Sequence, residues 1–268
     1  MIIDITKSGY QQGYLPKGGV GVFHAFFPTA NCAVRREAIA RASGEAGIAS
    51  AAPSEARARD AAHADRASHA PAFDTHCATG EDIDLSIRVA RAGYELWFEP
   101  TAKVVHHHRH TMRGLLRQWF AYGLGHAYLY KKHSPRRRFE IFRYDLSPAN
   151  TSPFGIRRIA ALPSPARAMV FVTSFHVMHA AAAAAIVARV ANAPAAIVWT
   201  LAALTAATAA WYFGIRFEGR QPLRSIAFSA IRYIADASYV IGGLIGGIRE
   251  GMIYVEATRT RRRPRAAG

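Results

Sequence analysis

From Ala193 to Ile215 the chain carries no charged residue. No other feature limits its possible folds so strongly. Just upstream, Ala168 to Val190 is apolar apart from His176, His179, Arg189 and a few hydroxyls. As a helix, each stretch is long enough to cross a hydrocarbon layer of about 30 Å. Alanine is abundant in both and only weakly favourable in lipid, so each helix alone is marginal. Paired about Asn192-Ala193-Pro194, their small residues permit close backbone approach. Trp211 and Tyr212 then fall where aromatic rings favour the membrane–water boundary. The competing reading is a helical hairpin buried in a soluble core, and runs this long and poor in polar groups argue against it. Arg157, Arg158 and Arg167 precede the hairpin, and Arg216, Arg220 and Arg224 follow it. Only Arg189 lies near its turn, so the positive-inside tendency puts both flanks in the cytoplasm. The expected location is the inner (plasma) membrane, multi-pass, with the preceding domain cytoplasmic.

The 268 residues suit one domain with an appendage. The chain is 51% hydrophobic yet has a formal net charge of +16. Such a balance suits anionic lipid, phosphorylated substrates or nucleic acid. No zinc-finger spacing, RNA-binding aromatic signature or basic zipper accompanies it, so nucleic acid is not an expected partner. The two cysteines, Cys32 and Cys77, are too few for a disulfide framework and read as reduced thiols. Met1-Ile2-Ile3-Asp4 lacks the basic start and apolar stretch of a secretory signal.

Four segments follow from composition. Residues 1–145 read as an α/β domain, with a Gly-rich turn at Gly18-Gly19-Val20-Gly21, a strand from Val22 to Phe27 and a helix from Arg36 to Ala42. Residues 43–72 interrupt it. No large apolar residue occurs there after Ile48, so this Ala-rich insertion is expected to be disordered or loosely helical. Basic Lys131-Lys132-His133-Ser134-Pro135-Arg136-Arg137-Arg138 is expected at a membrane surface, with a solvated basic loop as the alternative. Pro148, Pro153, Pro163 and Pro165 mark a linker over 146–166, and 167–216 holds the two transmembrane helices. Residues 217–268 contain a third apolar helix, Ile226 to Ile248, and a basic tail. Arg232 and Asp236 stand at i,i+4 and can interact. Gly242, Gly243, Gly246 and Gly247 form two small-xxx-small repeats. Spanning would put Arg259 to Arg265 outside, against the charge rule, so an interfacial or re-entrant helix is expected.

The chemistry-bearing stretch is Thr79-Gly80-Glu81-Asp82-Ile83-Asp84-Leu85, followed by Arg88, Arg91 and Ala92-Gly93-Tyr94. Three carboxylates gather at a helix start, where unpaired N–H groups and the helix dipole favour them. Leu85, Val89 and Ala92 recur at helical spacing and face a core. Gly93 ends the helix, and Tyr94-Glu95-Leu96-Trp97-Phe98 reads as a strand. A carboxylate held rigidly at a helix mouth can serve as a general base; the plainer reading is an acidic helix start.

The neighbouring motifs extend the pattern. Asn31-Cys32-Ala33-Val34-Arg35-Arg36 lies upstream, and Glu99-Pro100 and Val104-Val105-His106-His107-His108 lie downstream. Arg113-Gly114-Leu115-Leu116-Arg117-Gln118-Trp119-Phe120-Ala121-Tyr122 follows. In this order, over roughly residues 26–130, the set resembles the C-terminal half of inverting family 2 glycosyltransferases with the GT-A fold. The resemblance implies a partial GT-A domain before the transmembrane hairpin. It implies transfer of a sugar, with inversion, from a nucleotide-sugar donor to a lipid-linked or polysaccharide acceptor. The family's nucleotide-binding half ends in a D-x-D metal motif, and Met1 to Phe27 contains a single acid, Asp4. The chain is therefore expected to be N-terminally truncated. It acts either as an enzyme or as an inactive remnant or partner subunit that needs a separate N-terminal half.

By resemblance the base is Asp82, with Glu81 hydrogen-bonding in the acceptor site or raising the base's pKa. Asp84 falls in the substrate-binding group or, as a structural residue, pins the helix or pairs with Arg35 or Arg36. His106 and His108 share one face of a strand end and by resemblance complete a divalent metal site, Mn²⁺ or Mg²⁺. Without D-x-D carboxylates an imidazole holds such a hard ion poorly, and adventitious nickel or zinc binding is a competitor. Arg113 and Arg117, at i,i+4, suit a diphosphate. Gln118, Trp119 and Tyr122 complete the substrate-binding group. Processive members carry Q-x-x-R-W here; Ala121 and Tyr122 replace the last two residues, which speaks against a processive polymer synthase. An amphipathic helix at the membrane surface is the alternative for this segment.

Overall fold

The computed structural model describes residues 13–14, 19–20, 23–24, 32–43, 73–77, 79–99, 101–102, 111–134, 137–144, 156–214 and 222–256. The chain forms two compact units. The first gathers Met1–Arg109, Tyr128–Ser134 and Leu146–Ile156, and the second His110–Ala127, Pro135–Asp145 and Arg157–Gly268.

In the first unit, strands β1 (Gly13–Tyr14), β2 (Gly19–Val20) and β3 (Phe23–His24) precede helices α1 (Arg36–Ala42) and α2 (Glu81–Arg91), and β4 (Trp97–Phe98) follows. β1 pairs antiparallel with β4, placing Tyr14 opposite Trp97, and β2 pairs antiparallel with β3. The expected helical spacing is realised: Leu85 and Val89 of α2 bury against Ala38 of α1 and Leu96, with Val34, Tyr94 and Phe98 around them. Arg88 Nη1 donates to the Ala42 carbonyl at 3.3 Å, satisfying an acceptor at the end of α1. Helix α3 (Met112–His133) contributes its last residues, from Tyr128 onward, to this unit.

In the second unit, β5 (Arg138–Tyr144), β6 (Ile156–Pro163), β7 (Ala168–Phe171) and β8 (Ile253–Val255) form one sheet in the order β6-β5-β7-β8. β5 and β8 both run parallel to β7. Helices α4 (Ser174–Val190), α5 (Ala195–Gly214) and α6 (Pro222–Arg249) connect β7 to β8. α4 and α5 are an antiparallel hairpin: Phe175, near the start of α4, packs on Tyr212, near the end of α5. Asn192 takes φ 53° at the turn, a left-handed conformation that asparagine tolerates.

Two expectations need correction. Ile156–Pro163, placed in the linker, is strand β6. Its run of Ile, Ala and Leu gains ladder partners on β5, which outweighs the proline signal; Pro163 sits at the strand's end, where a missing N–H costs little. The apolar stretch from Ala168 does not enter a helix at once. Ala168–Phe171 is the buried strand β7, and Thr173 opens α4, its N–H donating to His176 Nδ1 at 3.3 Å. α4 is thereby 17 residues long, and among the described residues α5 alone is long and apolar enough to cross a membrane by length and composition.

The small-xxx-small ridge of α6 has a partner. A Cβ on Gly242 would collide with the Phe120 carbonyl of α3, and one on Gly246 would lie 2.9 Å from Ala127 Cβ. Reciprocally, a Cβ on Gly123 would collide with the Tyr239 carbonyl. Glycine is needed at these positions for close backbone approach.

Candidate active site

Gly80 precedes α2 with φ 84°, a conformation that glycine adopts without strain. A Cβ there would also stand 2.6 Å from Leu129 Cδ1. The turn delivers Glu81 and Asp82, both half-buried, into the first turn of the helix. Asp82 Oδ1 accepts the Ile83 N–H at 2.8 Å, and the Asp82 carbonyl accepts Ser86 Oγ at 2.7 Å. The carboxylate is therefore steered by an unpaired first-turn donor, as the dipole argument requires.

Asp84 is different in kind. It is fully buried, and its oxygens are occupied from three sides. Arg88 Nε donates to Oδ2 at 2.8 Å, while Lys132 Nζ at 2.7 Å and His133 Nε2 at 2.9 Å meet Oδ1. Arg91 donates to His133 Nδ1 at 3.0 Å and to the His133 carbonyl at 3.0 Å. A guanidinium accepts nothing, so Nδ1 accepts and Nε2 is the nitrogen that donates to Asp84. Burial alone would raise the Asp84 pKa. The His133 and Lys132 hydrogen bonds and the Arg88 charge outweigh burial and hold it at about 2. With no exposed surface and three cationic or donor partners, Asp84 has the surroundings of a structural hub, the structural alternative to a substrate-binding role. Of the two arginines named as partners for the structural role, Arg35 pairs with Glu37 at 3.7 Å.

Asp74 was missed as part of this centre. Its Oδ2 accepts Tyr128 Oη at 2.6 Å and Lys132 Nζ at 2.7 Å, so Lys132 bridges two carboxylates. Burial pushes the Asp74 pKa up, but these hydrogen bonds win and hold it well below the usual carboxylate range. Tyr128 is pushed up in return by burial and by Asp74. The signal for Asp74 was slight: the first apolar residue after the insertion, Phe73, stands beside it. Cys77 is buried, donates from Sγ to the Thr79 carbonyl at 3.0 Å, and is pushed up to about 12 by burial and the Asp84, Asp74 and Glu81 charges. It stays a thiol and is no nucleophile. Both cysteines are free.

The remaining expected site residues belong to the second unit or lie outside the described residues. Arg113 and Arg117 are exposed on α3. Gln118 Nε2 donates to Tyr122 Oη at 2.6 Å, and Trp119 meets Tyr122 edge-on at 5.9 Å between ring centres. The structure thus brings Gln118, Trp119 and Tyr122 into one cluster. Arg232 of α6 lies over the Trp119 ring, 4.6 Å from its centre, and pairs with Asp236 at 3.0 Å, as the i,i+4 spacing suggested. His106 and His108 are outside the described residues, as are the insertion from residue 44 to 72, the turn residues Gly18 and Gly21, and the basic tail. Among the described residues, no three His, Cys, Asp or Glu side chains gather as a metal site. Asp82-x-Asp84, the literal D-x-D match, does not fit a divalent ion because Asp84 has given its oxygens to Arg88, Lys132 and His133.

Glu81 and Asp82 thus stand half-buried at the mouth of α2, while Asp84 of the same helix is tied into a buried charge hub. The model for glycosyl transferase family group 2 matches residues 20–235, more than half of the chain. The chain belongs to that family. The match supports a sugar-transfer function, and with it a nucleotide-sugar donor and an acceptor. No curated protein and no solved structure matches the chain.

Proposed function

We propose that this family 2 glycosyltransferase is membrane-bound and transfers a sugar, with inversion, from a nucleotide-sugar to a lipid-linked or polysaccharide acceptor. The observation that carries the reading is the position of Asp82, in the first turn of α2, within the matched family region. In the proposed reaction an Asp82 carboxylate oxygen takes the proton of the acceptor hydroxyl. The hydroxyl oxygen then forms its bond to the anomeric carbon from the face opposite the departing nucleoside diphosphate. Glu81 orients the acceptor by hydrogen bonding. Arg113 and Arg117 are assigned to the diphosphate and Tyr122 to stacking on a sugar. A divalent ion, Mn²⁺ or Mg²⁺, would be held by His106 and His108 and would offset the charge of the diphosphate. Membrane binding is supported by α5, which is long and apolar and exposes Ile197, Trp199, Leu204 and Trp211. In this reading α4 completes the hairpin, and the domain before it faces the cytoplasm of the inner membrane.

The test uses the full chain in detergent, titrated with UDP- and GDP-sugars with and without Mn²⁺, beside Asp82→Asn. Donor binding by both proteins, with turnover only in the parent, is expected. Equal turnover in both would remove Asp82 from the role of base. Failure of every donor to bind would instead favour the partner-subunit reading, in which a separate chain supplies the nucleotide-binding half.

A further inference from the structure

Helix α6 buries mostly small and polar residues and exposes large apolar ones. Its buried positions include Ser225, Ser229, Asp236 and Tyr239. Its exposed positions run from Leu223, 82% exposed, through Ile226, Phe228, Ile241 and Leu244 to Ile248, 78% exposed. A helix facing water has the opposite arrangement. The charges along this span turn inward: Arg232 pairs with Asp236, and Tyr212 Oη donates to Asp236 at 2.6 Å. Exposed Arg224 and Arg249 stand near the two ends. Between Leu223 and Ile248 the apolar face is about 38 Å long at 1.5 Å per residue.

Topology fixes how such a face can meet a membrane. α4 begins two residues after β7, and β8 follows α6 by three residues. β7 and β8 are neighbours in one sheet, with Met169 opposite Tyr254. The α4–α5 hairpin goes out and returns, so α6 starts on the sheet's side and must also finish there. A single crossing by α6 would strand β8 on the far side and break that pairing. The packing agrees. Tyr233, Ala237 and Val240, from the middle of α6, pack on Phe175, Met178 and Tyr212 at the base of the hairpin.

We propose that α6 lies in the plane of the leaflet on the sheet's side, its outer face sunk among the acyl chains of the bilayer lipid. The inference rests on the hairpin crossing the membrane. An open apolar cavity of about 580 Å³ between the end of α5 and the first half of α6, lined by Phe213, Ile226, Ala230 and Ile234, receives part of a chain. An interfacial helix with a continuous apolar face and cationic ends is suited to this position.

The test places a fluorescent, polarity-sensitive label on single cysteines in the full chain, with Cys32→Ser and Cys77→Ser. The sites are Ile226→Cys, Ile234→Cys, Ile241→Cys and Ile248→Cys on α6, and Leu204→Cys on α5. The proteins are reconstituted in phosphatidylcholine–phosphatidylglycerol vesicles carrying a quencher near the headgroup or near the chain end. All four α6 sites should be quenched, each roughly two-fold more by the shallow quencher, while Leu204→Cys responds more to the deep one. Deep quenching at Ile234 and Ile241 with shallow quenching at Ile226 and Ile248 would mean a crossing helix and overturn the proposal. Absence of quenching on α6 while Leu204→Cys is quenched would mean that water or protein covers the face, again overturning it. No quenching at Leu204→Cys would sink the hairpin reading itself and, with it, the placement of α6.

Discussion

Asp82 and Asp84 are two residues apart and share a helix turn, yet their surroundings give them different work. Asp84 is sealed among Arg88, Lys132 and His133, whereas Asp82 is half-buried at the helix mouth. Replacing Asp84 by Ala removes the carboxylate that Arg88 and His133 face and leaves Lys132 with Asp74 alone; breaking such a buried pair typically costs about 3–5 kcal/mol. Asp84→Ala is therefore expected to lower the thermal midpoint sharply, while Asp82→Asn leaves it nearly unchanged; circular dichroism on heating separates the two. The pH dependence follows from the same hub. Asp84 in the folded chain titrates near 2 and Asp74 is likewise depressed, against about 3.9 for an unfolded Asp. A depressed carboxylate stabilises the fold fully above its unfolded pKa and loses that contribution as pH falls through its folded pKa. Acid unfolding of the parent should thus steepen below about pH 4. Asp84→Asn should be less stable at neutral pH and show a shallower loss over that window. The acidic motif was legible in sequence because its spacing is local. The division of labour within it was not, because Lys132, His133 and Asp74 reach it across the chain.

Elements obey the same distinction between local and distant information. α2 and the helical part of the hairpin were readable from periodicity and apolar length, since those signals lie within one segment. Strand β7 was hidden in an apolar run that also suits a helix; its partners, β5 and β8, lie far away in sequence. β6 was masked by prolines for the same reason. The glycine ridge of α6 was visible, but its fit to Phe120 and Gly123 of α3 was not. Three glycines grade the consequences. Gly251 has φ 65° and open space around its would-be Cβ. Gly251→Ala should cost about 1 kcal/mol through backbone strain alone. Gly80 adds a 2.6 Å approach to the flexible Leu129 side chain, so Gly80→Ala should cost roughly 1–3 kcal/mol. At Gly123 the obstacle is the Tyr239 carbonyl, and backbone cannot swing aside. Gly123→Ala is expected to be the most damaging, at about 3 kcal/mol or more. Chemical denaturation of the three variants in one detergent would test the order; equal losses at Gly251 and Gly123 would contradict the close approach of α3 and α6.

For the molecule as a whole, the distribution of polarity is the deciding property. The second unit buries Asp236, Glu256 and several hydroxyls while it exposes Ile, Leu, Trp and Phe on α4, α5 and α6. Glu256 gathers a buried polar cluster: Tyr239 Oη donates to it at 2.7 Å, His126 lies 2.6 Å from the same hydroxyl, and Tyr254 also reaches Glu256. Polar groups paired within such clusters and apolar groups outside are a consistent solution when the surrounding medium is hydrocarbon. The net charge of +16 then has a natural counterpart in anionic headgroups. This reading makes α5 sensitive to a charge at its centre. Leu204, 44% exposed on α5, stands near the middle of the helix. Leu204→Arg should disfavour insertion by about 3 kcal/mol on the translocon scale. Because the alanine-rich helix is marginal to begin with, that loss should move a large share of the chain from the carbonate-resistant membrane pellet to the supernatant or to aggregates. Leu204→Ala, which only trims apolar area, should leave most of it in the pellet. If Leu204→Arg fractionates like the parent, α5 does not sit in hydrocarbon, and its exposed Trp199 and Leu204 must instead be covered by protein.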